Sequence, residues 1–140
     1  MKMKKIITFA CFIMNSIIMV AQQPFEGRYY NEEYHIFIDI NLYDKNVIVP
    51  NQEVFGDLDG YFGSTLCNTV WPITSSAITN KTAKISVINN YGSEDFKATF
   101  TIIDSKSLSY EHKGGSTLKF PVNKKWQKIP SKIVFTRKEQ

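Results

Sequence analysis

The sequence predicts an all-β protein in which one antiparallel meander of eight or nine short strands closes into a barrel, with a β-sandwich as the alternative. Three observations lead to this prediction. Apolar and polar residues alternate over several segments, as they do in strands with one buried face. Only short runs of turn residues separate these segments, which favours antiparallel neighbours. After residue 21, no segment keeps a 3.6-residue apolar period over three turns, so long helices are not expected.

The individual strands are predicted from the side chains that would share one face. In YHIFIDINLY, residues 34–43, every second residue is apolar and most of those between are polar. The same alternation predicts strands in AKISVINN, DFKATFTIID, LSYEH and KIVFTRK. Gly114 and Gly115 predict a two-residue hairpin turn, because glycine reaches positive φ without strain. Around Trp126 we expect a short helical turn at most.

The first residues of the chain predict export. Three lysines within the first five positions precede an almost unbroken apolar run that ends at Ala21. A basic start followed by about 15 apolar residues is typical of a secretory signal peptide, and the run is shorter than the ~20 residues that span a bilayer. We therefore expect residues 1–21 to be removed. Residues 22–140 would then form a single β-barrel domain, without a stable membrane span, in the periplasm or outside a bacterial cell.

The charge distribution argues against nucleic acid as a partner. Without the three leader lysines the formal net charge falls from +4 to +1, which removes the main compositional support for binding a polyanion. The remaining charge is uneven, because residues 22–104 hold 5 Lys or Arg against 11 Asp or Glu, whereas residues 105–140 hold 9 against 2. This pattern indicates either cross-strand charge pairing or two flanks that steer a partner.

The sequence offers no catalytic or metal-binding constellation. Cys67 is the only cysteine after residue 21, so no internal disulfide is expected. It is either a small buried residue or a thiol that is reactive or pairs with another molecule. Cys67, His35 and His112 are scattered along the chain without the paired spacing of a zinc site. We therefore expect no metal, no cofactor and no enzymatic activity.

The stretch FGDLDGYFGSTLCNTVW, residues 55–71, is the least regular part of the sequence. Its Asp-Leu-Asp-Gly start is similar to a calcium loop, but no acidic residue follows where such a loop supplies its bidentate carboxylate. Its three glycines and two aspartates favour turns, and the apolar residues between them must pack on something. We therefore expect residues 55–66 to form a compact loop, either a lid across one open end of the barrel or a plain cap on the core.

Two short segments resemble the lipocalin-like, or calycin, barrels. Gly27-Arg28-Tyr29 stands just ahead of the first long strand, and Arg137 lies on the last. These residues resemble the Gly-x-Trp opening and the closing-strand arginine of that family, with Tyr29 in place of tryptophan. The resemblance implies a lipocalin-like barrel in which the ring of Tyr29 plugs the base and Arg137 packs across it. Gly27, Tyr29 and Arg137 are thus the expected closure residues.

Two functions are consistent with these predictions. The first is a binding module for a small apolar or amphipathic ligand, since an eight-stranded barrel either holds one small ligand or is filled by its own side chains. Its candidate ligand-binding residues are Phe55, Tyr61, Phe62, Trp71, Tyr110 and His112. The second is a protein-interaction domain, such as an inhibitor, an immunity-type protein or an envelope protein. It would use the 55–66 loop and a basic surface on the C-terminal flank formed by Lys124, Lys125, Trp126 and Lys128.

Overall fold

In the computed structural model, the described part of the chain comprises residues 22–138, so the predicted signal peptide, residues 1–21, lies outside it. A 3₁₀ turn, Glu53–Phe55, interrupts a series of strands. The strands are β1 (Glu26–Asn31), β2 (Ile36–Asn41), β3 (Val47–Ile48), β4 (Asp57–Leu58), β5 (Gly60–Ser64), β6 (Trp71–Thr79), β7 (Thr82–Ile88), β8 (Asp95–Asp104), β9 (Ser107–Gly115), β10 (Lys119–Val122), β11 (Lys125–Lys128) and β12 (Lys132–Thr136).

Eight of these strands form a closed barrel, in the order β1, β2, β5, β6, β7, β8, β9, β12 and back to β1. Each barrel strand pairs antiparallel with the strands on both sides. No α-helix occurs among the described residues. The all-β class and the closed antiparallel meander predicted from the sequence are therefore confirmed. The other four strands form two separate sheets, β3–β4 and β10–β11, each inserted between consecutive barrel strands.

The barrel interior is filled by side chains that alternate along the strands. Strand β2 places its three isoleucines inside, each at most 1% exposed, as the period-two pattern of the sequence predicts. Aromatic rings occupy the centre. The rings of Phe100, Tyr110 and Phe135 have centroids 5.9, 5.7 and 6.1 Å from that of Phe62. Tilted and edge-to-face pairs at these distances are favourable packing arrangements for aromatic rings.

The predicted loop at residues 55–66 is wrong, because much of this stretch is strand. β5 is a full member of the barrel and pairs with β2 and β6. Two glycines of β5, Gly60 and Gly63, allow this strand to approach β2 closely and do not form a turn. A Cβ at Gly60 would lie 2.5 Å from the carbonyl oxygen of Asp39, and a Cβ at Gly63 would lie 2.5 Å from the ring of Phe37. Glycine in a strand often marks such contacts, so these residues build the wall and form no lid.

Different parts of the chain close the two ends of the barrel. At the clamp end, where β1 begins and β12 ends, Phe25 inserts into the main hydrophobic cluster. The opposite end of the barrel is called the cap end. There the chain crosses from β9 to β12 through residues 116–131, which are called the cap segment. Leu118, Phe120 and Ile129 of this segment are buried and belong to the same cluster as the barrel interior. The cap segment therefore occupies the place that the sequence analysis assigned to residues 55–66.

The predicted turn at Gly114 and Gly115 is also wrong. Both glycines lie at the end of β9 and pair with residues 96–97 of β8. Gly115 has φ of +93°, and a Cβ there would lie 2.6 Å from the carbonyl oxygen of Asp95. The glycines thus let β9 approach β8 closely beside a register shift between Lys97 and Ala98.

The segment around Trp126 is a β-hairpin and not a helical turn. β10 and β11 pair antiparallel through four residues each. The two residues between them, Asn123 and Lys124, have positive φ of 52° and 67°. This is the conformation that a type I′ turn requires at both central positions, and its twist matches that of the flanking strands. The basic residues of this segment are therefore held on a defined hairpin.

Candidate binding surfaces

The six residues predicted to bind a ligand do not form one site. Three of them, Phe62, Trp71 and Tyr110, are buried inside the barrel, each at most 1% exposed. Phe62 and Tyr110 meet edge to face with centroids 5.7 Å apart, and Trp71 donates its indole N–H to the carbonyl oxygen of Lys119 at 2.9 Å. Their partners are the core and the cap segment, so they fill the space in which an interior ligand would lie.

His112 lies at the cap end and is half-buried. Its ring stacks on that of Phe96 with centroids 5.4 Å apart. Its Nε2 lies 2.8 Å from the carbonyl oxygen of Ser116, the first residue of the cap segment. The contacts of His112 therefore fasten the cap segment to β9 and β8.

Tyr61 and Phe55 lie outside the barrel. The side chain of Tyr61 packs with Val49 and Val70 in a second, smaller hydrophobic cluster. Its hydroxyl accepts a hydrogen bond from Nη2 of Arg28 at 3.2 Å, and burial raises the pKa of the Tyr61 phenol. Phe55 lies in the 3₁₀ turn and is 53% exposed. Neither residue shares a surface with the interior aromatic residues.

Asp59 is a buried anchor that the sequence analysis did not identify. Its carboxylate accepts a hydrogen bond from the hydroxyl of Ser76 and forms an ion pair with Nζ of Lys45 at 3.5 Å. Asp59 is only 5% exposed, so these partners offset the cost of burying its charge. The sequence predicts that Asp59 favours a turn. In the folded chain its carboxylate links Lys45, which follows β2, to Ser76 in β6.

Gly27, Tyr29 and Arg137 meet at the clamp end. The ring of Tyr29 is fully buried, and the guanidinium carbon of Arg137 lies 4.3 Å from its centroid. Arg137 also donates hydrogen bonds to the backbone carbonyls of Glu26 and Gln23 at 2.7 and 2.6 Å. Gly27 has φ of +112°, and a Cβ there would lie 2.5 Å from Nη1 of Arg137. One cation therefore ties the end of the last strand to the start of the first.

A groove of about 630 Å³ lies on the outer wall of the barrel, within the roughly 300–1,000 Å³ range of small-molecule sites. The register places Ser75, Ser86 and Lys97 in one cross-strand row and Ala77, Lys84 and Thr99 in the next. Between these rows, Ile85 and Ala98 point into the core, so the row residues face outward. The outer-wall groove is defined as Ser75, Ala77, Lys84, Ser86, Lys97, Thr99 and Lys113.

The outer-wall groove carries positive charge that is only partly neutralised. Lys113 pairs with Glu111 at 2.6 Å, and hydrogen bonds from Lys113 and Lys132 lower the pKa of Glu111. Within residues 22–138, no carboxylate lies within ion-pair distance of Lys84 or Lys97. Both lysines alternate with buried residues in the sequence, but the register between β7 and β8 was needed to bring them together.

The predicted basic surface corresponds to the outside of the β10–β11 hairpin. Trp126 is 59% exposed, and Nζ of Lys119 lies 5.1 Å from the centroid of its ring. Lys124, Lys125 and Lys128 are exposed on the same hairpin. Trp126 and Lys128 share one face of the hairpin, Lys124 lies in its turn, and Lys125 lies on the other face opposite Val122.

The described residues provide no metal centre and no membrane-spanning helix. Among them, no group of three or more His, Cys, Asp or Glu side chains is placed to hold an ion. Cys67 is unpaired, half-buried and packed against the main hydrophobic cluster. In residues 22–138, no helix is both long and apolar enough to cross a membrane.

Comparison with known proteins does not assign a family. No protein-family model matches the sequence, and neither the curated proteins nor the solved structures give a significant match. The fold and the two surfaces described above are therefore the basis for a function.

Proposed function

We propose that this protein is an exported, lipocalin-like barrel that binds a small amphipathic anion in its outer-wall groove. The lipocalin-like class is supported by the closed eight-stranded meander and by the resemblance at Gly27, Tyr29 and Arg137, where a guanidinium covers a buried ring beside the first strand. Export is supported by the signal-peptide pattern of residues 1–21.

The packing of the interior favours a ligand on the outside. The ring of Phe62 and its aromatic neighbours occupy the centre of the barrel, which is one of the two ways in which eight-stranded barrels are filled. A ligand that entered from the cap end would have to displace Leu118 and Phe120 from the core. The outer-wall groove is open to solvent and requires no such rearrangement.

The observation that carries the proposal is that Lys84 and Lys97 share this groove and that neither has a carboxylate partner among residues 22–138. The two lysines are diagonal neighbours on adjacent strands, so their Cβ atoms lie roughly 7 Å apart. An anionic head group between them accepts charge-assisted hydrogen bonds from both ammonium groups. Ser86, whose Oγ accepts from Nζ of Lys97 at 2.8 Å, has a hydroxyl hydrogen to donate to the same head group.

The rest of the groove suits an apolar body. The exposed methyl group of Ala77 lies in it, and the aliphatic stems of the lysines add further apolar surface. The ligand class is therefore a carboxylate, phosphate or sulfate attached to a short apolar chain or ring. The sequence predicts a small apolar or amphipathic ligand; the ligand proposed here is an amphipathic anion, and its proposed site is on the outer wall and not inside the barrel.

Laurate and the dye 8-anilinonaphthalene-1-sulfonate are suitable probes for this proposal. We expect each to bind the processed protein at one saturable site, measured by calorimetry for laurate and by fluorescence for the dye. A Lys84→Gln/Lys97→Gln variant should bind both probes roughly tenfold or more weakly, because two charge-assisted contacts are lost.

A matched control removes the same charge outside the groove. The Lys81→Gln/Lys125→Gln variant should bind both probes like the wild type, since neither residue lines the outer-wall groove. Equal loss of binding in the two variants would show that net charge and not the groove controls binding. The absence of saturable binding to the wild type with both probes would overturn the proposal.

One observation favours a second function, a protein-interaction domain. The insertion between β2 and β5 exposes three apolar side chains, with Val54, Phe55 and Ile48 being 90%, 53% and 50% exposed. Clustered exposed apolar residues often mark partner sites. A pull-down from the envelope fraction should retain one protein on the wild type and lose it on a Val54→Ser/Phe55→Ser variant. Retention of the same protein by both forms, or of none, argues against this function.

A further inference from the structure

The β10–β11 hairpin has two faces of different character. Its pairing puts Phe120 opposite Gln127 and Pro121 opposite Trp126. Phe120 is fully buried in the main cluster, whereas Trp126 is 59% exposed. Because side chains alternate between the faces of a strand, one face closes the barrel and the other presents Trp126 to solvent.

The outer side of this hairpin lies in a segment without acidic residues. From residue 112 to residue 138 the sequence has eight Lys or Arg and no Asp or Glu. Several of these cations have partners elsewhere; Lys119, for example, pairs with Glu94 at 3.3 Å. Lys124, Lys125 and Lys128 have no carboxylate of residues 22–138 within ion-pair distance. Lys128 shares the face of Trp126 and Lys124 lies in the turn, whereas Lys125 pairs with Val122 on the face of Phe120 and is exposed at the hairpin tip. The uncompensated charge is therefore divided between the face of the exposed indole and the tip of the hairpin.

We propose that this outer face docks the protein on an anionic phospholipid surface. Tryptophan favours the head-group region of a bilayer because its ring is apolar and its N–H is polar. Lysines close to an anionic membrane surface each add a favourable electrostatic contribution. The face thus combines the two contacts with which a protein lies on a charged bilayer without crossing it.

The arrangement fits a bilayer better than a single-stranded nucleic acid. Nucleic-acid strands are held by several aromatic side chains on which successive bases stack, whereas this hairpin exposes one, Trp126. The three lysines lie at and after a tight turn, where they meet several head groups side by side. The positive φ values of Asn123 and Lys124 fix this turn, so little ordering is required on docking.

The test uses the processed form that starts at Gln22, which contains every strand and both closures of the barrel. Binding is measured by co-sedimentation with vesicles of one third phosphatidylglycerol and two thirds phosphatidylcholine, and with vesicles of phosphatidylcholine alone. We expect saturable binding to the anionic vesicles, at least roughly tenfold weaker binding to the neutral ones, and loss of binding at high salt. The fluorescence of Trp126 should shift to the blue, since the other tryptophan, Trp71, is already buried.

Two charge-matched variants decide whether the hairpin is responsible. The Lys124→Gln/Lys125→Gln/Lys128→Gln variant should bind anionic vesicles roughly 100-fold more weakly, and Trp126→Ala should abolish the blue shift. The Lys81→Gln/Lys84→Gln/Lys97→Gln variant removes equal charge from the turn after β6 and the outer-wall groove, and should bind vesicles like the wild type. It also separates this inference from the proposed function, because it removes the groove lysines and leaves the hairpin intact.

Three results would overturn the inference. The first is equal binding to anionic and neutral vesicles. The second is equal vesicle binding by the two triple variants. The third is binding to a DNA strand without binding to anionic vesicles, which would show that the hairpin recognises a different polyanion.

Discussion

The two ends of the barrel differ in the contacts that close them. At the clamp end, Arg137 donates to the backbone carbonyls of Glu26 and Gln23 and covers the buried ring of Tyr29. At the cap end, Leu118, Phe120 and Ile129 bury their side chains in the core. Apolar side chains are therefore buried at both ends, and the clamp end adds charge-assisted hydrogen bonds from one cation to backbone carbonyls at and just before the start of β1.

The difference follows from how the chain reaches each end. At the clamp end, β1 and β12 are distant in sequence and share a single register pair, Tyr30 with Thr136, so side-chain bonds must complete the seam. At the cap end, the connection from β9 to β12 runs over the opening and carries its own apolar residues. Burial of one face is sufficient there, which leaves the outer face of the hairpin free to carry the lysines of the proposed docking surface.

The largest effect is expected from removing the central side chain of the cap. Phe120→Ala should lower the free energy of unfolding by about 3–5 kcal/mol, because a buried ring is lost and a cavity remains. Urea unfolding followed by circular dichroism measures this change. The matched control is Trp126→Ala on the same hairpin, where an exposed ring is removed and a loss of about 1 kcal/mol or less is expected. Similar losses in both variants would contradict closure by burial.

The next largest effect is expected at the clamp. Arg137→Met keeps an apolar stem over Tyr29 but removes the hydrogen bonds to the first strand, so a loss of about 3 kcal/mol is expected. Arg28→Met is the control, since the guanidinium carbon of Arg28 also lies 4.3 Å from a ring centroid, that of Phe37. Arg28 is substantially exposed and pairs with Asp39 on the surface, so its loss should cost about 1 kcal/mol or less. Equal effects at the two arginines would rule out a special role for the clamp.

A smaller effect isolates the glycine of the clamp. Gly27→Ala should cost about 2 kcal/mol, because the left-handed backbone is strained for alanine and the new methyl group would displace Arg137. In Gly92→Ala the backbone also has positive φ, +75°, but no atom lies within 4 Å of the new Cβ. The larger cost at Gly27 in urea unfolding combines the contact with Arg137 and the greater strain at φ +112° than at +75°, and no difference would show that the contact with Arg137 contributes nothing measurable.

The same comparison explains how much the sequence could predict. Alternation in β2, β7 and β8 identified the wall, because each strand has one buried face. The sequence predicts a loop at residues 55–66 because glycine favours turns, whereas Gly60 and Gly63 in fact permit close approach to β2. This close approach is to β2, a different strand, so the local sequence propensity of β5 does not indicate it.

The candidate surfaces show a similar limit. The basic residues around Trp126 were found because they are contiguous in the sequence. The cap residues Leu118 and Phe120 were missed because they stand among lysines, where the local composition is typical of a solvated loop. The pairing of Lys84 with Lys97 in one groove depends on the β7–β8 register, which the alternation does not determine by itself.

The smallest effect at neutral pH, and the sharpest probe of the clamp, comes from Tyr29. Its hydroxyl donates to the carbonyl oxygen of Pro24 at 2.5 Å, so Tyr29→Phe should cost about 1 kcal/mol at pH 7.

Burial raises the pKa of Tyr29 to about 12, against the opposing influence of Arg137, whereas the phenol in the unfolded chain titrates near 10. Between these values the unfolded state binds fewer protons than the folded state. The contribution of this phenol to stability is therefore complete below pH 10 and is lost as the pH rises towards 12. Urea unfolding from pH 7 to pH 12 should show a steeper alkaline loss for the wild type than for Tyr29→Phe. Some slope remains in the variant because burial also raises the pKa of Tyr110. Identical slopes for the two proteins would mean that the phenol of Tyr29 is solvated and that the arginine does not cover a closed end.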